Sequence, residues 1–331
     1  MKVCIYGAGA IGGLIGARLA ARGACDVSVV ARGTTLKAIR EHGLRLRVDG
    51  QVLAPKVRAS EEPAELGAQD LVIIAVKGPA LPGVAARIGA LVEADTVVLA
   101  AMNGVPWWFF EGLAGPCEGM RIEAVDPGGI VSRAIPVDHV LGCVVHISAS
   151  VSEPGFVAHG KGNGLIVGEP GGESTARLAR VASLLADAGF DVTQSKRIQF
   201  DIWYKLWGNL TMNPVSAITG ATADRVLDDP LVRDFCRAAM AEASIIGAKI
   251  GCRIDETPAA RHAVTRKLGA FKTSMLQDVE AGKPLEIDAI VAAVREIGQR
   301  VGVATPNIDA ILGMARLFGE TRGLYAPSRS S

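Results

Sequence analysis

The chain has 331 residues, 49% of them hydrophobic and 21% charged, which excludes a disordered polymer and, at roughly 150 residues per domain, implies two cores. With 35 basic and 34 acidic residues the net charge is +1, so no overall field draws the chain to nucleic acid or to an anionic membrane. Six cysteines (Cys4, Cys25, Cys117, Cys143, Cys236, Cys252) are scattered without a C-x-x-C pair or a Cys/His spacing suited to zinc, so no metal is expected and a reducing, cytoplasmic setting is.

The first half alternates short β-branched runs with amphipathic stretches. Strands are predicted over residues 2–6, 27–31, 71–76 and 96–100, with a helix over 11–22. Strands separated by helices need right-handed crossovers, hence an α/β fold with an N-terminal Rossmann-type, doubly wound, mostly parallel sheet. The alternation around Asp49-Gly50 predicts an antiparallel hairpin beside it. Residues 140–167 read as strands joined by glycine-rich turns, followed by a helix over 174–188 and a last strand over 190–193. The apolar run 71–76 is far shorter than the roughly 20 residues that cross a bilayer.

From about Ile198 the periodicity becomes helical, predicting an all-α C-terminal domain. Helices are expected over 201–212, 230–250, 258–281, 284–301 and 306–318, with a helix stop at Gly282 and proline at several starts. The domains are therefore expected at 1–197 and 198–331, and the Ser/Pro-rich tail 325–331 is expected to fray.

Gly7-Ala8-Gly9-Ala10-Ile11-Gly12 fits G-x-G-x-x-G between a predicted strand and a predicted helix. Gly7 permits the tight turn, Gly9 lets backbone approach a pyrophosphate, and Gly12 lets the helix pack closely, while the helix N-terminus offers free N–H groups and positive dipole. A dinucleotide is the expected ligand of the first domain. Where an NAD site usually carries Asp or Glu, after the second strand, the chain has Arg32, whose guanidinium suits a 2′-phosphate; the cofactor is expected to be NADPH.

In the second half, Lys205, Asn209 and Asn213 recur every four residues and share one helix face, although Pro214 predicts a kink or end near Asn213. Their neighbours are mostly apolar, and the stripe reads either as a solvent-facing edge or as a face needing a polar ligand. Ser274 and Asp278 likewise share a face, and Glu286 falls in a predicted first turn, where the dipole favours an ionised, hydrogen-bond-accepting carboxylate.

These segments, together with Val76-Lys77, Asn103-Gly104, P-G-x-V-x-H-G-x-G (154–162), K-x-x-x-N-x-x-x-N-P-x-S-A-x-T-G (205–220) and S-M-L-Q-D-x-x-x-G-x-x-x-E-I-D (274–288), resemble the ketopantoate reductase (2-dehydropantoate 2-reductase) family from residue 2 to about 318. The resemblance implies NADPH-dependent reduction of ketopantoate to pantoate, a step toward pantothenate. It further implies that Lys205 is the proton donor, that Asn209, Asn213 and Ser274 hold the substrate, and that Glu286 binds its hydroxyl. Asp278 would be an orienting residue, Asn103 would contact the nicotinamide side of the cofactor, and Lys77 would lie close by.

The consecutive rings Trp107-Trp108-Phe109-Phe110 read either as a cleft wall selecting a bulkier 2-keto acid or as packing. His159 reads as a structural hydrogen-bonding residue, and apolar stripes in the helical half leave a homodimer open. Alternatives to ketopantoate reduction are a reductase of another, bulkier 2-keto acid and a non-catalytic NADPH sensor.

Overall fold

In the computed structural model, which describes residues 1–326, the run Lys2–Tyr6 forms β1, its last four residues buried. Next come α1 (Ala10–Arg22), β2 (Asp26–Val30), α2 (Gly33–His42), β3 (Arg45–Val48), β4 (Gln51–Leu53), β5 (Arg58–Ser60), β6 (Leu71–Ile74), α3 (Leu81–Ala85) and β7 (Val97–Ala100). After an excursion come α4 (Ile130–Ala134), β8 (Val140–His146), β9 (Ala149–Glu153), β10 (Phe156–His159), β11 (Gly164–Gly168), α5 (Ala176–Asp187) and β12 (Asp191–Gln194). Among the described residues, one eight-stranded sheet has the order β12-β11-β8-β7-β6-β1-β2-β5, parallel except at the β8–β11 pair. Its central strands β1, β6 and β7 are apolar because both faces are covered. A smaller sheet, β4-β3-β10-β9, contains the predicted hairpin: Asp49 and Gly50 adopt φ +49° and +75°, as a two-residue turn of this hand needs.

The helical part contains α6 (Ile198–Thr219), α7 (Ala223–Asp228), α8 (Pro230–Lys249), α9 (Pro258–Arg266), α10 (Ser274–Glu280), a π-helical stretch over Asp288–Ala292, α11 (Ala293–Arg300) and α12 (Pro306–Thr321). Three expectations are corrected here. Helix α6 does not stop near Asn213 but runs through Pro214; the proline forgoes one backbone bond, and buried neighbours Thr211, Met212, Val215 and Ser216 hold the turn. The single helix expected over 258–281 is two, broken where Gly269 takes φ +66° and Thr273 caps α10 by accepting from Leu276 N–H. No helix starts at Pro284; residues 283–286 form a non-helical link, and the chain turns helical only at Ile287, directly ahead of the π stretch.

The chain separates into two compact units, 1–102 with 129–201 and 103–128 with 202–331. Residues 103–128, expected with the sheet, pack with the helices: Val105 N–H donates to Ala289 O at 2.9 Å, and Glu123 and Ala124 N–H donate to the Glu296 carboxylate at 3.0 and 2.9 Å. The four rings of 107–110 are packing elements, each at most 5% exposed, with Phe109 edge-on to Phe110 and 6.1 Å from Trp203. The tail expectation is corrected in part: Leu324 and Tyr325 are buried and hydrogen-bonded, while 327–331 lie outside the described residues. His159 does act structurally, its Nε2 lying 2.7 Å from Gly162 O. The six cysteines are free, and burial pushes the Cys4 thiol up to about 12. Among the described residues no helix is long and apolar enough to cross a membrane.

His262 on α9 is 5% exposed, and neither ring nitrogen has a hydrogen-bond partner within the protein. Burial, reinforced by Arg237, Arg233, Arg266 and Arg261, pushes it down to about 4. The unfolded chain therefore binds a proton that the folded one refuses between about pH 6.5 and 4. Stability should fall across that window as the solution is acidified, by at most about 3 kcal/mol from this group. Urea unfolding at pH 7, 5.5 and 4.5 should show a shallower acid loss in His262→Gln than in the parent chain; equal slopes would refute the assignment.

Candidate active site

At the end of β1, Gly7 turns the chain with φ +102° while its N–H donates to Val30 O at 3.1 Å. A Cβ on Gly12 would lie 2.0 Å from the Gly7 carbonyl oxygen, and one on Gly7 would lie 2.6 Å from Val76 Cγ1, so the turn closes only with glycine at both positions. Gly9 faces open space and is the N-cap of α1, where no side chain caps the helix and the first turn holds no acidic residue. Ala8, Ala10 and Ile11 are half-buried beside it. A helix end that is positive and lacks a side-chain acceptor fits a pyrophosphate, so the residues present fit a dinucleotide. Arg32 is exposed at the N-cap of α2, and Lys77 is half-buried just after β6.

In the helical unit, Trp203, Leu206, Trp207 and Leu210 bury one side of α6, and Trp207 Nε1–H donates to Met240 O at 2.8 Å. That fixes the rotation of the helix and leaves Lys205, Asn209 and Asn213 on its other flank. Lys205 Nζ donates to Asn103 Oδ1 at 2.8 Å. Asn213, 4% exposed, directs Nδ2 at Ser274 Oγ at 3.4 Å, which ties α6 to the first residue of α10. Asp278 lies one turn further along α10, half-buried, and Glu286 is 9% exposed in the link that leads to the π-helical stretch.

The segment carrying Asn103 is seated on that stretch. Gly104 takes φ +81°, and a Cβ there would stand 2.5 Å from Ala289 O, the carbonyl that accepts from Val105 N–H. Ala293 N–H reaches back five residues to Asp288 O, the mark of a widened turn. The structure thus brings together Lys205 with Asn103 and Asn213 with Ser274, and anchors the Asn103 loop three residues beyond Glu286. The motif around Asn103 points only to the cofactor side, and its bond to Lys205 is not legible from the sequence. The Ala289 carbonyl has no local signal in the sequence, because the segment it holds lies 184 residues away at Val105.

The family models described as "Ketopantoate reductase PanE/ApbA" and "Ketopantoate reductase PanE/ApbA C terminal" match residues 3–108 and 197–318. A curated 2-dehydropantoate 2-reductase of Mesorhizobium japonicum is 44% identical over 326 residues, covering 98% of this chain and 100% of that one. The chain belongs to the ketopantoate reductase family. Another curated 2-dehydropantoate 2-reductase, from Archaeoglobus fulgidus, is 30% identical over 95% of this chain and 97% of its own. A crystal structure of a candidate ketopantoate reductase from Ralstonia solanacearum is 57% identical, with TM-score 0.95 and 98% and 99% of the two chains covered. As a family member the chain is an oxidoreductase, and the family implies a nicotinamide cofactor, which the glycine turn fits.

Gly104→Ala combines a strained φ with a collision against Ala289 O, and should cost about 2 kcal/mol or more while displacing Asn103 from Lys205. Thermal unfolding should show a lowered Tm and steady-state kinetics a reduced kcat; a variant matching its parent in both would contradict the docking role of this residue.

Proposed function

We propose that this chain reduces ketopantoate to pantoate with NADPH as the hydride source. When bound, NADPH supplies a hydride to the keto carbon. The observation that carries the reading is the Lys205 Nζ–Asn103 Oδ1 bond of 2.8 Å, which holds an ammonium on the same α6 flank as Asn209 and Asn213. As the keto carbon gains hydride, the π electron pair of the carbonyl moves onto oxygen. The Lys205 ammonium stabilises that charge and donates the proton that completes the alcohol. No metal is needed for this balance of charge.

Asn103 orients the ammonium by accepting one of its three N–H bonds. Asn209, Asn213 and Ser274 supply neutral hydrogen-bonding groups for the keto acid, and the Glu286 carboxylate accepts from its hydroxyl, with Asp278 orienting the α10 end of the site. The packing of rings 107–110 in the core removes the observation that favoured a bulkier acid. On the cofactor side, Arg32 stands where a carboxylate would select the ribose hydroxyl, at the positive end of α2, and supports a 2′-phosphate. Gly7 to Gly12 would hold the pyrophosphate, and Lys77 would lie near the nicotinamide side of the cofactor.

The reading is tested by following NADPH oxidation with ketopantoate. Lys205→Ala should lower kcat by about 10²–10⁴-fold with the Kd for NADPH within about threefold of the parent; near-normal turnover would remove the proton-donor role. Arg32→Ala should raise KM for NADPH by about tenfold and leave KM for NADH nearly unchanged, whereas an equal effect on both would reassign the nucleotide preference.

A further inference from the structure

Glu286 lies in a short non-helical link, and the bonds that flank it come from the far end of the chain. Helix α12 ends at Thr321, and the chain folds back so that Leu324 N–H donates to Gly319 O at 2.8 Å. The Leu324 carbonyl then accepts from Leu285 N–H at 2.9 Å, one residue before Glu286. The Tyr325 hydroxyl donates to Asp288 Oδ1 at 2.7 Å, two residues after it. The Glu286 carbonyl accepts from Ile290 N–H at 3.3 Å, so its own backbone is anchored forward into the π stretch.

This return is built into the packing. Leu324 and Tyr325 are 8% and 9% exposed, and a Cβ on Gly319 would lie 2.6 Å from that of Tyr325, so glycine there lets the tyrosine close down. Burial pushes the Asp288 carboxyl up from its ordinary value, opposed by the Tyr325 hydroxyl and by Arg316. A half-buried carboxylate that loses its donor must protonate or move toward water, and either change loosens the turn beginning two residues from Glu286.

We infer that the strap formed by Leu324 and Tyr325 holds Glu286 in register, with Tyr325 and Asp288 as positioning residues for the carboxylate that meets the substrate hydroxyl. The inference rests on the reading of Glu286 given above. It places a determinant of substrate choice outside the residues that touch substrate.

The experiment uses the full chain and Tyr325→Phe, which keeps the ring and removes only the donor. With ketopantoate, kcat/KM should fall about tenfold, while the same keto acid lacking the hydroxyl should change by less than about twofold and KM for NADPH should not move. Asp288→Ala should show the same selective loss, and the double variant should be no worse than the poorer single one, as two ends of one bond require. Equal losses on both keto acids, or no loss on either, would overturn the strap. Amide hydrogen exchange supplies a readout without substrate: residues 285–290 should exchange faster in Tyr325→Phe while α6 does not, and unchanged exchange there would also overturn it. Should the parent chain fail to reduce ketopantoate, the proposed reaction fails, and the exchange comparison still decides the strap.

Discussion

The helical unit is organised around a single backbone carbonyl, that of Ala289. Widening of the helix at Asp288–Ala292 sends the Ala293 N–H to Asp288, and Ala289 O receives the N–H of Val105. A hydrogen bond of this kind contributes only about 1 kcal/mol net, but its geometric effect is larger. It sets Gly104 against the turn with no room for a side chain, and so fixes Asn103, whose amide oxygen in turn holds Lys205. An irregular turn in one helix is thereby converted into the position of an ammonium on another.

The same logic explains why residues 103–128 pack with the helices. Their backbone donors find acceptors at Ala289 and at the Glu296 carboxylate, and their rings are buried with Trp203. Within the sheet unit, Val3, Ile5, Leu71, Ile73, Val97 and Leu99 of β1, β6 and β7 share one core with residues of α1 and α5. A comparable device fixes α12, whose first N–H groups at Asn307 and Ile308 donate to Glu242 of α8 at 2.9 and 3.0 Å. Carboxylates at helix or loop starts, placed by a different helix, recur as the means by which this unit satisfies its chain ends.

What could be read from sequence was whatever short-range chemistry decides. The glycine turn, the β-branched strands and the Asp49-Gly50 hairpin depend on residues within a few positions of one another, and each is found where the pattern puts it. The polar flank Lys205, Asn209, Asn213 was visible because helical spacing alone puts the three on one side. What was hidden depended on distant partners. Pro214 argues locally for a helix end, yet packing around Thr211 and Ser216 overrides it. Nothing near Gly104 announces a carbonyl 185 residues away, and a Ser/Pro-rich ending gives no hint that Tyr325 will reach Asp288. The rings at 107–110 are ambiguous in the sequence for the same reason, since Trp203, the partner of Phe109, lies far along the chain in α6.

The crossing of the chain out of the sheet unit at residue 103 and back at 129 means that the two folding units are not two consecutive lengths of polypeptide. A chain severed at residue 197 would leave the helical piece without Asn103, the Val105 anchor and the buried rings, and leave the sheet piece trailing a greasy loop with nothing to cover it. Neither fragment would be whole. Evolution cannot easily trade one half of such a protein for another by joining genes end to end, because the graft would also have to carry an inserted stretch of twenty-six residues matched to its new host.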